Sequence, residues 1–228
     1  RRMEQEAAQS RIASLQKQLE YDRTNVLLAQ ISSHFFYHTL NAIQALIVLD
    51  PDAAYKMTED FSRFLRFKVD SVSAENGLVP FREELRTVRA YAEINKIQLQ
   101  GRLSVEYDVF DADFLIPVLT IQPVVENAII HGIKPKVGGG TVHVSLSHGN
   151  GRYLVRVEDD GVGYTPGEET SAHSVGIQNI RTRMEQFPGC SMEVTSQPGR
   201  GTEVLLYYAE NLAKEETQPI ATLRQEGI

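Results

Sequence analysis

The chain has 228 residues, enough for one large domain or two modest ones, and its 42% content of hydrophobic residues is ordinary for a globular protein with a sizeable core. Aspartate and glutamate outnumber lysine and arginine by 30 to 23, and the formal net charge of -7 argues against a nucleic-acid binder, which needs a basic face. The single cysteine, Cys190, excludes an internal disulfide, and no histidines and cysteines have zinc-site spacing, so a reducing cytosolic setting is favoured.

The start of the chain indicates a fragment. No apolar run in the sequence reaches the length of a membrane span or of a signal peptide. The chain nevertheless opens at Arg1 without an initiator methionine. We therefore expect a piece of a longer protein, whose remaining part could hold a membrane anchor.

Apolar residues at alternating spacings of three and four predict a long N-terminal helix that pairs with another helix. This heptad seam, weakened at two polar positions, comprises Ala8, Ile12, Leu15, Leu19, Asp22, Val26, Ala29, Ser33, Phe36, Leu40, Ile43 and Ile47. A second helix, after a break at Pro51, keeps the spacing at Ala54, Met57, Phe61, Phe64 and Lys68. Two amphipathic helices alone bury little, so the pattern favours an antiparallel hairpin that dimerises into a four-helix bundle. The alternative is a monomeric hairpin packed on the rest of the chain.

Two histidines stand out on the first helix. In the heptad frame Ser33 and Phe36 point inward, whereas His34 and His38, four residues apart, both point away from the seam. The frame therefore predicts an exposed pair of imidazoles. A solvent-facing histidine on a helix is usually only a polar surface residue, so the frame alone assigns this pair no function.

Downstream of the hairpin the pattern changes from helical to extended. Residues 73–80 form a polar break, and residues 81–100 predict a linker helix that Gly101 ends. Leu103, Val105, Tyr107 and Val109 then alternate with polar residues, which is typical of a strand.

The pattern of residues 117–132 predicts a buried helix with polar, potentially functional side chains on one face. Its apolar side comprises Ile121, Val125, Ala128 and Ile129. Asn127 and His131 lie four residues apart on the other side, next to Glu126. These polar groups are costly beside an apolar helix unless they bind something polar, although a helix end that reaches solvent would also accommodate them.

The remainder of the chain predicts a mixed sheet. Alternating residues at 142–146 and 153–157, with a glycine-rich turn between them, predict a β-hairpin. A polar stretch at 164–174 resembles a mobile lid, and a helix follows Gly176. Two last strands, 191–196 and 202–208, precede a polar tail that starts at residue 211 and has no clear period. We therefore predict an α+β chain, in which a helical hairpin or coiled coil precedes a two-layer α/β sandwich with a mixed sheet.

Four motifs then stand in a fixed order along the predicted sandwich. They are Glu126-Asn127-Ala128 with His131-Gly132, then Asp159-Asp160-Gly161-Val162-Gly163, then the segment from Gly176 to Arg183, and finally Gly199-Arg200-Gly201-Thr202. They resemble the N box, the two glycine boxes and the final Gly-Thr box of the GHKL ATPase superfamily of gyrases, heat-shock chaperones and histidine kinases. A single glycine motif is weak evidence, but the four boxes in order are specific.

The first half of the chain narrows the resemblance. The segments Gln30 to Phe36 and Thr39 to Asn41 are similar to the phosphoacceptor box of sensor histidine kinases of the autolysin-regulator type, which is close to QINPHFLFNTLN. Three positions depart from that pattern, since Ser33 replaces the usual proline, His38 replaces an asparagine, and Gln98 stands where an arginine is common.

The resemblance implies a role for each box in binding Mg-ATP. Asp159 would accept a hydrogen bond from the adenine amino group, and Asn127 would ligate Mg²⁺, whose oxygen shell phosphate and water would complete. Glu126 would orient or accept a proton. The remaining residues implied to contact the nucleotide or the lid are His131, Lys134, Gly161, Gly163, Gly176, Arg183, Gly201 and Thr202.

The implied activity is that of a histidine kinase core. The γ-phosphate of ATP would pass to His34 and then to an aspartate of a separate response regulator. The implied protein is a homodimer on the cytoplasmic side, with the parent anchored in the cell membrane through a sensor region absent from this chain. The corresponding domains are a dimerisation and phosphotransfer region (1–72), a linker helix (73–100), an ATP-binding domain (101–209) and a tail (210–228).

Two other functions stay open at this point. One is a pseudokinase, a nucleotide-binding module that signals without phosphotransfer, which the altered residues around His34 permit. The other is a chaperone-like or repair-like ATPase, which the heptad helix and its exposed histidine box disfavour.

Overall fold

The computed structural model describes residue 11 and residues 33–72, 75–165 and 171–212. The part of the heptad seam before Ser33 lies outside the described residues. So do residues 166–170 of the expected lid and the tail beyond residue 212.

The N-terminal part is a helical hairpin of α1 (Ser33–Leu49) and α2 (Pro51–Val72). Asp50 separates the helices, and its Oδ1 accepts the backbone N–H of Ala53 at 3.0 Å, so it caps α2 with proline at the first helical position. The break predicted at Pro51 is therefore confirmed. All five predicted positions of the second helix are buried, namely Ala54, Met57, Phe61, Phe64 and Lys68.

The buried face of α1 differs from the heptad frame. Phe35 and Thr39 are buried, whereas Phe36 is half-buried and Leu40 is 38% exposed. The reason is that α1 packs on a third helix as well as on α2. The Phe35 ring lies 5.0 Å from that of Tyr91, which pulls this face inward. Phe36 still packs on the second helix, with its ring 5.3 Å from that of Phe61, but the heptad frame did not identify the buried position of Phe35.

The third helix, α3 (Phe81–Gln98), ends two residues before the predicted stop. Gln100 and Gly101 both adopt left-handed backbone conformations, with φ of 51° and 79°, and they turn the chain into the sheet. Two short strands flank the helix in sequence, β1 (Leu78–Pro80) and β3 (Leu115–Pro117), and they pair antiparallel. Neither strand was predicted from the sequence, because three residues are too few to show a period.

Five strands form the main sheet, namely β2 (Leu103–Asp108), β4 (Gly140–Gly149), β5 (Arg152–Asp159), β6 (Ser191–Gln197) and β7 (Gly201–Ala209). Their order is β2-β4-β5-β7-β6. β2 and β4 are parallel, and the other neighbours are antiparallel. The β4–β5 turn at Asn150 and Gly151 has φ of 53° and 71°, as a two-residue hairpin requires. The predicted mixed sheet and hairpin are confirmed.

The helix expected over residues 117–132 begins later than predicted and changes from α-helical to π-helical along its length. Residues Leu115–Pro117 belong to β3, and Leu119 has φ of 57°, so α4 spans only Gln122–Asn127. A π-helical turn, Ala128–Ile133, continues it. The last helix, α5 (Ser171–Glu185), begins before Gly176 rather than after it. Apolar side chains of the helices and of the sheet form one continuous buried cluster.

A buried carboxylate determines where α4 starts. Glu84 of α3 is 0% exposed. Its carboxylate accepts the backbone N–H groups of Leu119 at 2.9 Å, Ile121 at 2.7 Å and Gln122 at 3.0 Å. Burial raises the pKa of Glu84, and the backbone hydrogen bonds oppose that rise. Because the first N–H groups of a helix have no partner within it, Glu84 serves as the N-terminal cap of α4 from another helix.

This contact generates a stability prediction. Replacing Glu84 with alanine leaves three buried N–H groups without an acceptor, and we expect a loss of about 3 kcal/mol in the free energy of unfolding, measured in urea. Glu83→Ala is the matched control on the same helix, since the Glu83 side chain is half-exposed and its partner among the described residues is Arg86. That control should change the free energy by less than about 1 kcal/mol. Equal effects of the two substitutions would contradict the capping role.

Candidate functional site

A cavity of about 280 Å³ lies between the α4 segment and the main sheet. Five of the expected site residues line it, namely Asn127, His131, Asp159, Gly163 and Thr202. Apolar side chains form much of the remaining wall, including Val124, Ala128, Val157, Ile177 and Val204. Apolar walls with a few convergent polar groups are typical of a ligand site. This first cavity is therefore the candidate site.

Asp159 lies at the end of β5, in the wall of the first cavity, and is 4% exposed. Its Oδ1 accepts the backbone N–H of Gly161 at 2.9 Å, and the backbone N–H of Thr202 also donates to this carboxyl. Burial raises the pKa of Asp159 to about 6, while the two backbone donors oppose the rise. An ionised carboxylate has acceptor capacity for more than two donors, so Asp159 can accept a further N–H from a ligand.

Glycines allow the backbone to close tightly around Asp159. A Cβ on Gly201, where φ is 90°, would lie within a bond length or so of the Asp159 carbonyl oxygen. A Cβ on Gly161 would meet the carbonyl carbon of Gly132. Both positions therefore require glycine, and their role is to shape the wall that holds the carboxylate.

Asn127 stands at the end of α4, where the first cavity adjoins a second cavity of about 240 Å³. Its Nδ2 is buried and has no hydrogen-bond partner among the described residues. A Cβ on Gly176 would lie 3.5 Å from that atom, so Gly176 leaves the space beside it open. The second cavity is lined by Lys68, Leu119, Pro123, Glu126, Asn127, Gly176, Asn179, Ile180 and Arg183. An orphaned amide between two cavities is suited to a polar ligand that spans both.

Glu126 faces the second cavity and is paired with a residue of the hairpin. Its Oε1 lies 3.3 Å from Nζ of Lys68 and accepts Nε2 of Gln122 at 2.6 Å. Lys68 was predicted to lie in the apolar row of α2, and no function was predicted for it. A lysine in a row of buried apolar residues was the signal that could have identified it.

Arg183 lines the second cavity rather than the first. Its Nη1 donates to the backbone carbonyls of Val118 at 2.7 Å and Leu119 at 3.2 Å, so the side chain is tied to the segment before α4. Burial lowers the pKa of Arg183, and the charge of Glu84 opposes this effect. His131 is half-buried in the wall of the first cavity, where burial lowers the pKa of its imidazole.

The two hairpin histidines are exposed, as the heptad frame predicted, and their ring centroids are 4.0 Å apart. The charge of His38 is the main reason that the pKa of His34 is lowered, followed by slight desolvation and by the charge of Lys134. Lys134 directly follows the π-helical turn and precedes Pro135, which lines the first cavity. The charge of Lys134 thus acts on His34 from the ATPase half of the same chain.

The residues present fit a magnesium nucleotide. The first cavity offers apolar walls and one buried acceptor, which suits a purine, and the second offers two cations and the free amide of Asn127. The amide oxygen of Asn127 is a hard ligand of the type that Mg²⁺ accepts. Within the described residues no group of three or more histidine, cysteine, aspartate or glutamate side chains could hold a metal ion. No described helix is both long and apolar enough for a membrane span.

Comparison with known families matches both halves of the chain. Residues 22–103 match the model of the histidine kinase family. Residues 115–211 match the model described as histidine kinase-, DNA gyrase B-, and HSP90-like ATPase. The second match contains the first cavity together with all four boxes.

Similar proteins are found in several bacteria. The uncharacterized protein YwpD of Bacillus subtilis (strain 168) is 37% identical over 81% of this chain and 69% of its own length. The sensor histidine kinase YpdA of Escherichia coli (strain K12) is 31% identical over 87% of this chain, and the sensor protein LytS of Staphylococcus epidermidis (strain RP62A) is 28% identical over 90%. This chain spans only 36% of the length of each of the latter two. With both family models matched in order, the chain belongs to the histidine kinases, in the group of autolysin-regulator-type sensor kinases with a GHKL ATPase domain.

Proposed function

We propose that this chain is the catalytic core of a two-component sensor histidine kinase. In this proposal Mg-ATP binds in the two cavities and its γ-phosphoryl group is transferred to a ring nitrogen of His34. The phosphoryl group then passes to an aspartate of a response regulator. The observation that carries the proposal is the buried carboxylate of Asp159 in the wall of an apolar cavity, in a chain whose first helix also displays the exposed imidazole of His34.

The state of His34 supports its role as the acceptor. A ring nitrogen can attack phosphorus only when it is unprotonated, and the charge of His38 lowers the pKa of His34. In the transfer the bond between the γ-phosphorus and its bridging oxygen breaks, ADP leaves with the electron pair, and a nitrogen–phosphorus bond forms. Glu126 is the candidate to orient the imidazole or to accept its proton.

The residues of the two cavities divide the work of holding the nucleotide. Asp159 accepts the adenine amino group, and the Gly161 and Gly201 segments hold its carboxylate in place. Asn127 ligates Mg²⁺, which when bound neutralises charge on the phosphates. His131, Gly163 and Thr202 line the adenine side, whereas Gly176 and Arg183 line the phosphate side.

We also propose a homodimer through the hairpin. Three apolar side chains of α1 are exposed in the single chain, Tyr37 at 66%, Leu40 at 38% and Ile47 at 58%. Their spacing of three and then seven residues puts them on one face of the helix, where a second copy could cover them. The domain division proposed from the sequence, at residues 72, 100 and 209, is retained. The cytoplasmic location and a membrane-anchored parent are likewise part of this proposal.

The proposed function predicts an acid-labile, base-stable label after incubation with γ-labelled ATP, because that stability is typical of a phosphorus–nitrogen bond. The label should vanish in His34→Gln and persist in His38→Asn. Release of free phosphate without labelling would indicate an ATPase, and neither product would indicate a binding module. Labelling that persists in His34→Gln but vanishes in His38→Asn would show that the acceptor was misassigned.

The same assay has a predicted pH dependence. Removal of His38 removes the main cause that lowers the pKa of His34, so the pKa of His34 should rise in His38→Asn. A larger fraction of His34 is then protonated at mildly acidic pH, and the acid limb of the labelling rate should move to higher pH. His148→Asn, a substitution of an exposed histidine on β4, is the control and should leave the profile in place.

Asp159→Asn should weaken binding of adenine nucleotides by about tenfold or more, measured by calorimetry, because a charge-assisted hydrogen bond in a buried site is lost. Since burial raises the pKa of Asp159 to about 6, the parent should also lose this bond as the pH falls through that value. The ratio of parent to variant affinity should therefore shrink in acid. Glu158→Gln, at an exposed neighbouring carboxylate, is the control. Unchanged affinity in Asp159→Asn would rule out the assigned role.

For the dimer, light scattering should report twice the mass of one chain. Leu40→Glu combined with Ile47→Glu should shift the protein towards the monomer, because buried like charges would face each other across the interface. Val137→Glu is the control. It replaces an apolar residue that is 94% exposed and lies outside the hairpin, and it should leave the mass of the particle unchanged. A parent chain that stays monomeric at every concentration would contradict the bundle.

A further inference from the structure

Lys68 is a residue of the hairpin that reaches into the ATPase half of the chain. It lies on α2 in the same buried row as Phe61 and Phe64, and only 4% of its surface is exposed. Lys68 lines the second cavity, and its Nζ lies 5.6 Å from the centroid of the Phe64 ring. A lysine is almost never buried to this degree unless its ammonium group has an anionic or strongly polar partner.

Glu126 provides that partner only in part. The distance from Lys68 Nζ to Glu126 Oε1 is 3.3 Å, longer than the range of about 2.7–2.9 Å that is usual for a charge-assisted hydrogen bond. The same Oε1 accepts the much shorter bond from Gln122. An ammonium group has three N–H donors, so Lys68 retains capacity for another acceptor in the cavity.

The second cavity has the composition of an anion site. Lys68 and Arg183 both line it, and Nδ2 of Asn127 is a buried donor without a partner among the described residues. Gly176 leaves room beside that amide. In a chain with a net charge of -7, this local excess of donors and cations is a specific feature rather than part of a basic surface.

The two cavities share Asn127 as a lining residue, and this shared residue indicates how a bound nucleotide would run from one cavity to the other. Asn127 belongs to the lining of both cavities, so a ligand with its purine at Asp159 that extends into the second cavity would pass this amide. The phosphate groups that lie farther from the purine than the Mg²⁺ site at Asn127 would then contact Lys68. The terminal phosphate is the group that extends farthest from the purine.

We propose that Lys68 binds the terminal phosphate of ATP in the second cavity, so that the helical hairpin supplies one residue of the nucleotide site. This inference rests on the proposed function, since it requires adenine nucleotide in the first cavity. On binding, the Lys68 ammonium gains a phosphate oxygen as its acceptor, and Glu126 keeps its bond from Gln122. A protein with this arrangement distinguishes ATP from ADP through its hairpin.

The test is calorimetric titration of the full chain with Mg-ADP and with a Mg-bound, non-hydrolysable ATP analogue. Lys68→Met keeps the length and apolar stem of the side chain but removes its charge. We expect its affinity for the ATP analogue to fall about tenfold or more, as for loss of a charge-assisted hydrogen bond, with its affinity for ADP unchanged. Retained ADP binding also shows that the variant is folded. Lys68→Arg keeps a cation in the cavity and should retain the preference for the analogue.

Two controls separate a direct contact from indirect effects. Lys56→Met removes an exposed lysine from the same helix and should change neither affinity. The double variant Lys68→Met with Glu126→Gln removes both partners of the ion pair, so no carboxylate is left unpaired near the phosphates. If Lys68 acts on the phosphate itself, the loss of analogue affinity persists in the double variant.

Three results would overturn the inference while leaving the proposed function intact. They are an equal loss of affinity for ADP and the analogue in Lys68→Met, no loss for either, and recovery of analogue binding in the double variant. The last of these would show that Lys68 only neutralises Glu126. A parent chain that binds neither nucleotide would instead overturn the proposed function, and this inference with it.

Discussion

The carboxylate of Glu84 holds the segment from which the polar residues of the site are displayed. A buried carboxylate without partners is strongly disfavoured, and an α-helix that begins in the interior leaves its first N–H groups without acceptors. Glu84 removes both costs at once, because it accepts the N–H groups of Leu119, Ile121 and Gln122. The start of α4 is thereby fixed to α3. Since α4 ends at Asn127, this contact also fixes the amide that stands between the two cavities.

The segment before α4 is held from its other side by Arg183. Its N–H groups donate to a carboxylate from α3, while its carbonyls at Val118 and Leu119 accept from a guanidinium of α5. The two charged groups also act on each other, since the charge of Glu84 raises the pKa of Arg183 against the effect of burial. A continuous set of polar contacts therefore joins α3, α4 and α5. A change in the position of α3 could therefore move α5, the helix that carries Gly176, through these contacts.

The sequence predicted the parts of this molecule that have a clear period or a specific motif. The buried row of α2, the β4–β5 hairpin and the glycines around Asp159 are examples, because each depends on local spacing. Phe35 was missed because burial of α1 depends on Tyr91, which is distant in sequence. The short strands β1 and β3 have too few residues to show alternation. The contact of Arg183 with Val118, and that of Lys68 with Glu126, join residues whose proximity only the tertiary fold determines.

Lys68 and His34 belong to the hairpin, whereas Glu126, Asn127 and Asp159 belong to the ATPase half. If Lys68 binds the terminal phosphate, ATP binding is linked to the packing of α2 against α4. The contact between Lys68 and the phosphate forms only when ATP is bound and α2 is packed in place. Linkage is reciprocal. A displacement of α2 that breaks this contact lowers the affinity for ATP by some factor, and bound ATP raises the equilibrium constant for hairpin packing by the same factor. A signal that moves the hairpin could then change the position of the acceptor imidazole and the occupancy of the phosphate cavity together. Coupling of this kind requires no second sensor in the ATPase half, since the hairpin itself contributes to the nucleotide site.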